Sequence, residues 1–214
     1  LPRGLGGDDD QTHADVNAVI ADHTRIFVVF WGEEERDPNR VVQATLDEGA
    51  YPVASWWFGD VRLAQYAVLG ETPDSPQVRT DAVFSAYEGP IHLDGYALNS
   101  ENAHPGDALG IALFWRTDQP LEIRYKVTVQ LLGPDGFLVA QHDAEPNNNR
   151  SLTTTWTPDE IIPDPHGLAI PRDAAPGNYT LLIALYDPAA PLDRLPLMLD
   201  GSPAEVFTLD VTVE

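Results

Sequence analysis

The pattern of apolar and polar positions changes about a third of the way along the chain. Before residue 70, segments with helical and strand-like periods alternate, whereas beyond residue 79 only strand-like runs recur, with turn signals between them. A polar, proline-bearing stretch separates the two regions. The pattern predicts four parts: a flexible N-terminus at 1–11, a small α/β unit at 12–70, a linker at 71–79 and a β-sandwich at 80–214.

The α/β unit is predicted to contain two helices, a buried strand and a hairpin. In chain order these are a helix over 13–22, a strand over 25–31, a helix from Asp37-Pro38 to Gly49, and strands over 52–58 and 61–68 that turn at Gly59-Asp60. Thr12 and Asp15 have the spacing of a capping box for the first helix. The run 25–31 is apolar without alternation, which is typical of a strand covered on both faces in a parallel sheet.

This α/β unit lacks enough elements to cover such a strand. Two layers are needed, and only two short helices are predicted. A segment of about 60 residues also buries only about 60% of its extended surface, which makes it marginal alone. We therefore expect it to be the C-terminal part of a larger soluble domain, or to be sealed by docking on the sandwich.

Seven strand-like runs follow the linker. They cover 91–98, 108–116, 123–132, 136–142, 165–170, 178–187 and 205–213. This number of short strands is typical of an immunoglobulin-like sandwich. The predicted fold class is therefore mainly β: an immunoglobulin/fibronectin-III-like antiparallel β-sandwich preceded by a small partial α/β (βαββ) unit.

Three residues are predicted to hold the sandwich together. Gly177 forms a tight turn with the preceding proline and delivers Tyr179 to the start of a long apolar strand, the setting of a tyrosine corner. Trp115 ends an alternating strand on its apolar side, which places its ring in the core. These residues indicate a fold used mostly for binding and support, and they indicate no reaction.

Charge and composition narrow the class of partner. The 214 residues carry a net charge of −22, which repels nucleic-acid backbones and anionic lipid. The chain contains no cysteine, so disulfides, iron–sulfur clusters and thiol chemistry are excluded. No apolar run approaches the length of a membrane helix, and residue 1 does not begin a secretory signal. We expect an excised soluble portion or a mature product.

The titratable candidates lie in and beside a long polar segment, 143–163, between the fourth and fifth of these runs. His142 and Asp143 lie at one end, and Asp164 and His166 at the other. A zinc or general-base site would need two or three of these groups to converge. The alternative, which we favour, is that they bond loop backbone. We predict no metal and no cofactor.

Two tryptophans are weaker candidates for ligand binding. Trp156 lies in the same long segment and either anchors it or offers a stacking face to a sugar; anchoring is favoured. Trp56 and Trp57 are consecutive on a predicted strand, so one is expected to face inward and the other outward. We choose Trp57 as the candidate ligand contact, because an outward ring suggests an interface with sugar or with a missing domain.

Two blocks of the sequence resemble a known type of protein. The first block is Arg25–Trp31, Asp37-Pro38 and Trp57–Leu63; the second is Pro105–Asp107, Leu113–Trp115, Gln130–Gly136, Gln141–Asp143, Trp156, Pro176–Tyr179, Leu185–Pro188 and Arg194–Pro196. The first is similar to the end of the soluble domain of bacterial polytopic membrane glycosyltransferases of the mannosyltransferase-like, polyprenyl-phosphate-sugar-dependent family. The second is similar to the β-sandwich appended to such proteins in Chloroflexi-type bacteria.

The resemblance implies a non-catalytic accessory region. The catalytic acid of that family lies among N-terminal membrane helices, and none of that region is present here, so no catalytic residue is carried over. The expected location is extracytoplasmic, tethered to the cell membrane in the full-length protein. The expected partners are a glycan or lipid-linked acceptor and the upstream transmembrane region of the same protein, with no nucleic acid. The alternatives are a free-standing secreted carbohydrate-binding or adhesion sandwich and, third, a hydrolase using acids of 142–166.

Overall fold

The computed structural model describes residues 2, 7–69 and 73–214. The chain divides into two compact units, Leu1–Leu69 and Gly70–Glu214. Part of the predicted flexible N-terminus (1 and 3–6) and part of the predicted linker (71 and 72) lie outside the described residues.

The first unit is a three-stranded sheet with helices on one face. Its elements are α1 (Asp9–Asp22), β1 (Arg25–Phe30), α2 (Glu33–Arg36), α3 (Val41–Gly49), β2 (Tyr51–Phe58) and β3 (Val61–Ala67). The strand order is β1-β3-β2, and both pairings are antiparallel. The predicted hairpin is present, with its turn at Gly59 and Asp60.

The first helix begins earlier than the sequence predicts. Asp8 is its N-cap, and its carboxylate accepts a hydrogen bond of 2.9 Å from the backbone N–H of Gln11. Thr12 lies inside the helix, where its hydroxyl donates to the carbonyl of Asp8. The capping box at Thr12 and Asp15 is therefore wrong, and residues 9–11 are helical instead of flexible. Acidic residues near a helix N-terminus are stabilised by the helix dipole, which favours this earlier start.

Asp37 caps α3 from four residues before its first turn. Its two carboxylate oxygens accept hydrogen bonds of 2.8 and 2.9 Å from the backbone N–H groups of Val41 and Val42. The predicted N-cap position is wrong, because the helix starts at Val41 with Arg40 as its N-cap residue, although the Asp37 side chain still accepts from its first backbone N–H groups. The intervening residues form a turn that ends at Arg40 in the left-handed region.

The prediction that β1 is covered on both faces in a parallel sheet is wrong. The strand pairs antiparallel with β3, because the hairpin returns the chain beside it in that direction. Ile26 and Phe30 are buried against the helices, whereas Phe27 and Val29 are 56% and 65% exposed. A continuous apolar run does not distinguish a strand buried on two sides from a strand with one uncovered apolar side.

One core fills the space between the helices and the inner sheet face. It contains Val16, Ile26, Phe30, Val42, Leu46, Ala50, Ala64 and Tyr66. The hydroxyl of Tyr66 donates to Asp47, and burial followed by that neighbouring charge raises the pKa of Tyr66. The first unit thus has a two-layer core of its own, and its helices lie on one face of its sheet.

The second unit is a β-sandwich, as predicted. Its strands are β4 (Val78–Ser85), β5 (Pro90–Leu98), β6 (Asn102–Ala103), β7 (Ala108–Thr117), β8 (Lys126–Leu132), β9 (Leu138–Ala144), β10 (Ile162–Ala169), β11 (Gly177–Tyr186), β12 (Leu197–Leu199), β13 (Ser202–Ala204) and β14 (Phe207–Val213). A single turn, α4 (Pro146–Asn149), and a short 3₁₀ helix (Thr153–Thr155) follow β9. One sheet has the order β10-β7-β5-β4-β12-β13, and the other has the order β6-β14-β11-β8-β9.

The sequence pattern does not predict four strands of the sandwich. β6, β12 and β13 have two or three residues each, too few to show a period. β4 begins at Val78 inside the segment predicted as linker, because Arg79 and Asp81 make its first half polar. The linker prediction is wrong at its C-terminal end for that reason.

The sandwich core lies between the two sheets and contains the predicted tryptophan. Trp115 is fully buried, and its ring meets the ring of Phe84 edge-on at 5.7 Å between centroids. Aromatic pairs of this geometry contribute about 0.5–1.5 kcal/mol beyond their buried area.

The tyrosine corner has the bond that the sequence predicts. Tyr179 is buried, and its hydroxyl donates to the carbonyl of Ala175 at 2.8 Å. Gly177 passes close to Pro134, since a Cβ atom placed on this glycine would lie 2.9 Å from Cγ of that ring. Glycine at this position therefore lets the turn pack against the neighbouring loop.

Replacing Tyr179 with phenylalanine is expected to lower the free energy of unfolding by about 1 kcal/mol. The ring stays buried, but the Ala175 carbonyl loses its donor. Urea denaturation measures the change. The control is Tyr87→Phe, since Tyr87 is exposed, and an equal loss in both variants would count against the corner bond.

No helix among residues 2, 7–69 and 73–214 has both the length and the apolar character needed to cross a membrane.

Candidate functional site

Three of the six candidate ligand-binding residues converge inside the sandwich. The Nδ1 atoms of His142 and His166 are 2.8 Å apart, and Nε2 of His166 lies 2.8 Å from Oδ2 of Asp164. The indole N–H of Trp115 donates to the same carboxylate oxygen at 2.8 Å. We call Trp115, His142, Asp164 and His166 the buried polar network.

The network joins the edge strands of the two sheets. Asp164 and His166 are two residues apart on β10, so both point to the same side of that strand. β10 is the edge of one sheet, and β9, which carries His142, is the edge of the other. The bond between the imidazoles therefore connects the sheets where no backbone ladder does.

Asp164 is an ionised carboxylate held by three donors. Its Oδ1 atom accepts the backbone N–H of Asn147 at 2.7 Å, in addition to the Trp115 and His166 contacts at Oδ2. Burial alone would raise the pKa of Asp164. The imidazole of His166, followed by the hydrogen bonds, outweighs that effect and keeps this pKa below its usual value.

His142 is held neutral by its surroundings. Burial, followed by the neighbouring His166, lowers the pKa of His142 from 6.5 to about 3, although Asp164 opposes the shift. With His166 donating from Nε2 to the carboxylate, the short contact between the two Nδ1 atoms holds a single proton. The network is thus a chain of hydrogen bonds that runs from the Asp164 carboxylate through His166 to His142.

The buried polar network is closed to substrate. Asp164 and His166 are fully buried, and His142 is nearly so. Within the described part of the chain, no group of three or more His, Cys, Asp or Glu side chains has an arrangement that could hold a metal ion. His142, Asp164 and His166 therefore do come together, as a zinc or general-base site would require. They link the two sheets, however, and are buried away from solvent.

Asp143 is separate from the network. It alternates with His142 on β9 and so faces the other way. Its carboxylate accepts the hydroxyl of Tyr186 at 2.6 Å and lies 3.9 Å from Nζ of Lys126. Burial, followed by that hydrogen bond, raises the pKa of Tyr186.

Trp156 anchors the long segment that follows β9. Its ring is 5% exposed, and its N–H donates to the carbonyl and hydroxyl oxygens of Ser151 at 3.2 and 3.1 Å. The anchoring interpretation of Trp156 fits this buried ring, whereas stacking on a sugar would require an open face.

Two members of the arrangement were missed in the sequence. No sequence pattern around Trp115 indicates a partner for its indole N–H. The partner, Asp164, is 49 positions away in the chain. Asn147 reaches Asp164 through its backbone, and it stands in the left-handed region together with Asn148 and Asn149. Three consecutive asparagines are a signal that could have been used, because asparagine tolerates this conformation better than most residues.

The second candidate is the sheet face of the first unit that points away from α1 and α3, which we call the outer face. Val29, Leu63 and Trp56 stand opposite one another across β1, β3 and β2. Trp31, Trp56 and Phe58 are 55%, 42% and 65% exposed on or beside it. The outer face is therefore a continuous aromatic and aliphatic surface.

Trp57 lies on the opposite side of the sheet. It stands opposite Arg62, which shares the helix side with Phe30. The guanidinium of Arg62 is 4.1 Å from the centroid of the Phe30 ring and 6.0 Å from that of Trp57. The two tryptophans do point to opposite sides of the sheet, but the outward ring is Trp56, so the choice of Trp57 as the outward ring is wrong. Both rings are exposed. Trp57 is exposed because it stands near the tip of the hairpin, where the helices give it little cover.

Comparisons with known proteins give similarity of fold only. No family model matches the chain, and no curated protein matches it. The C-terminal domain of Wzt is similar over 65% of this chain and 82% of its own, with 9% identity and a TM-score of 0.45. A family 123 glycoside hydrolase from Clostridium perfringens (14% identity, TM-score 0.34) and a Bacteroides uniformis beta-glucuronidase (11%, 0.36) match over 56% and 75% of this chain, and over 26% of their own length in both cases. At these values none of them identifies a ligand or a reaction for this chain.

Proposed function

We propose that this chain is a non-catalytic accessory region of a glycosyltransferase-like membrane protein and that it binds glycan through the outer face of its first unit. The membrane context, the extracytoplasmic location and the link to an upstream transmembrane region rest on the family resemblance of the two sequence blocks. The binding role rests on the outer face itself.

The observation that supports binding is the exposure of Trp31, Trp56 and Phe58 on one sheet face. Exposed apolar patches of this kind mark interaction sites. An indole offers an apolar ring with a polar N–H at its edge, which suits a ligand that is both apolar and polar. A pyranose ring, with C–H groups on its faces and hydroxyls around its rim, has this character.

Charge selects among the possible ligands. With a net charge of −22, the chain repels phosphate groups and anionic sugars. We therefore propose an uncharged glycan, or the sugar portion of a lipid-linked acceptor, as the ligand.

The hydrolase alternative has less support than binding. A general acid or base must reach the bond that it cleaves. Asp164 is fully buried, with both oxygens engaged by protein donors. Asp143 is engaged by Tyr186. The other alternative is a free-standing secreted or adhesion sandwich. Membrane spans encoded upstream of Leu1 would support our proposal over that alternative.

Replacing Trp56 with alanine is expected to weaken glycan binding by about tenfold or more, because tryptophans at the centre of an interface carry a large share of its energy. The measurement is calorimetric titration with a glycan that the unaltered protein selects from an array of uncharged oligosaccharides. The matched control is Trp57→Ala, which removes an exposed indole from the opposite sheet face and should leave affinity unchanged. A flat response across the array would refute the binding role.

A further inference from the structure

The two edges of the first sheet are built differently. The β2 edge carries Pro52, which cannot donate a backbone hydrogen bond, and its register with β3 is irregular between Pro52 and Ala54. A proline and a bulge are devices by which proteins prevent another strand from pairing with an edge. The β1 edge has neither of them.

β1 is regular over its whole length. Its register with β3 runs without interruption from the pair Arg25 and Ala67 to the pair Phe30 and Arg62. Arg25, at the first position, is the only charged residue in the strand. Among the described residues, no strand pairs with the other side of β1. An apolar edge of this kind presents backbone donors and acceptors to a further strand.

An apolar cleft runs beside this edge. Its volume is about 260 Å³, and it is lined by Val16 and Val19 of α1, residues 26–29 of β1, and Val42 and Leu46 of α3. A strand added to β1 would direct alternate side chains into this cleft, because successive residues of a strand point to opposite faces. The edge therefore offers both backbone partners and a site for apolar side chains.

We infer that β1 pairs antiparallel with β1 of a second copy of this chain, about a twofold axis at Val28. In an antiparallel pair about such an axis, residues that stand opposite each other point to the same face. Phe27 of each copy then stands opposite Val29 of the other copy on the outer face. Ile26 stands opposite Phe30 of the other copy on the helix side. The sheet becomes six-stranded and ends at the two protected β2 edges.

The composition of β1 favours a second copy as the partner. Every opposed pair between positions 26 and 30 joins two apolar residues, and aromatic residues paired with β-branched ones stabilise a sheet. Arg25 stands opposite position 31 of the partner copy, a tryptophan, which suits a cation–π contact. Although the chain has a net charge of −22, this pairing places no two acidic residues opposite each other within the strand.

The experiment is sedimentation equilibrium of the whole chain over a range of concentrations, at low and at high salt. We expect a monomer–dimer equilibrium that shifts toward dimer at high salt, because salt screens the repulsion between two acidic copies. Val29→Lys should weaken the dimer at least tenfold, since a lysine on an edge strand opposes pairing. The control is Phe58→Lys on the same outer face, because Val29 and Phe58 are both 65% exposed, and it should leave the dimer intact.

Amide hydrogen exchange provides a second readout. In the dimer, amides of residues 25–30 should exchange more slowly as concentration rises, and those of residues 51–58 should not change. A monomer at every concentration and salt overturns the inference. Equal weakening by Val29→Lys and Phe58→Lys overturns it as well, because that result would indicate association through the outer face instead of the edge. Neither measurement involves a glycan, so its outcome is independent of the proposed binding role.

Discussion

Replacing Asp164 with alanine is expected to lower the free energy of unfolding by about 3–5 kcal/mol, as is typical when one partner of a buried charged network is removed. The carboxylate is fully buried and accepts hydrogen bonds from Trp115, Asn147 and His166. Alanine would leave all three donors buried without an acceptor, and each unsatisfied donor would lower the free energy of unfolding. Urea denaturation, followed by a signal from the sandwich, measures the loss.

The neighbouring carboxylate provides the control for this prediction. Asp143 belongs to the opposite side of β9 and contacts Tyr186 and Lys126 at a partly exposed site. Asp143→Ala should therefore cost about 1 kcal/mol or less. A small effect of Asp164→Ala, comparable to that of Asp143→Ala, would show that the buried polar network does not stabilise the sandwich.

Acidification is expected to destabilise the sandwich progressively between pH 6.5 and about 3. The folded state holds His142 neutral because its pKa is lowered to about 3, whereas in the unfolded chain this side chain binds a proton near pH 6.5. Above pH 6.5 the group is neutral in both states and changes nothing. As the pH falls through this window, the unfolded state alone takes up the proton, so stability falls. At about 1.4 kcal/mol per pH unit, the whole window is worth on the order of 5 kcal/mol.

Asp164 acts in the same direction at lower pH. Because its pKa in the folded state is below the ordinary value, its contribution is fully present above the pKa of the unfolded chain, and it is lost as the pH falls further. The variant His142→Gln, which keeps a polar side chain but cannot titrate, separates the two groups. We expect it to lose the slope between pH 6.5 and 4 and to keep the slope below. Urea denaturation at a series of pH values tests this, and an unchanged profile in the variant would exclude His142 as the source.

The sandwich could be predicted from sequence because its strands are long and its turns carry specific residues. β5, β7, β8 and β11 have seven to ten residues each, enough for a period to show. Their turns contain glycine and proline, which limit the backbone locally. Of the short strands, β6 and β12 form beside the longer strands β14 and β4, which present an edge to them, whereas β13 pairs only with β12 across the turn at Asp200 and Gly201.

The first unit shows the opposite situation. The apolar run at 25–31 correctly predicts a strand, but it predicts neither the direction of its partner nor how many of its faces are covered. Both depend on the order of strands in the sheet. Likewise, Thr12 and Asp15 have the spacing of a capping box, but the structure uses Asp8 as the N-cap and starts the helix at Asp9.

For the candidate sites, the amino-acid sequence by itself supplied the residue types and put His142 and His166 within predicted strands. It did not put Asp143 and Asp164 on strands, because the polar residues there interrupt the apolar pattern, whereas the structure extends β9 to Ala144 and starts β10 at Ile162. Only the tertiary structure decided that the edges of two different sheets meet, so that His142 reaches His166 and Trp115 donates to Asp164. That decision depends on contacts between residues up to 49 positions apart, which no local pattern records.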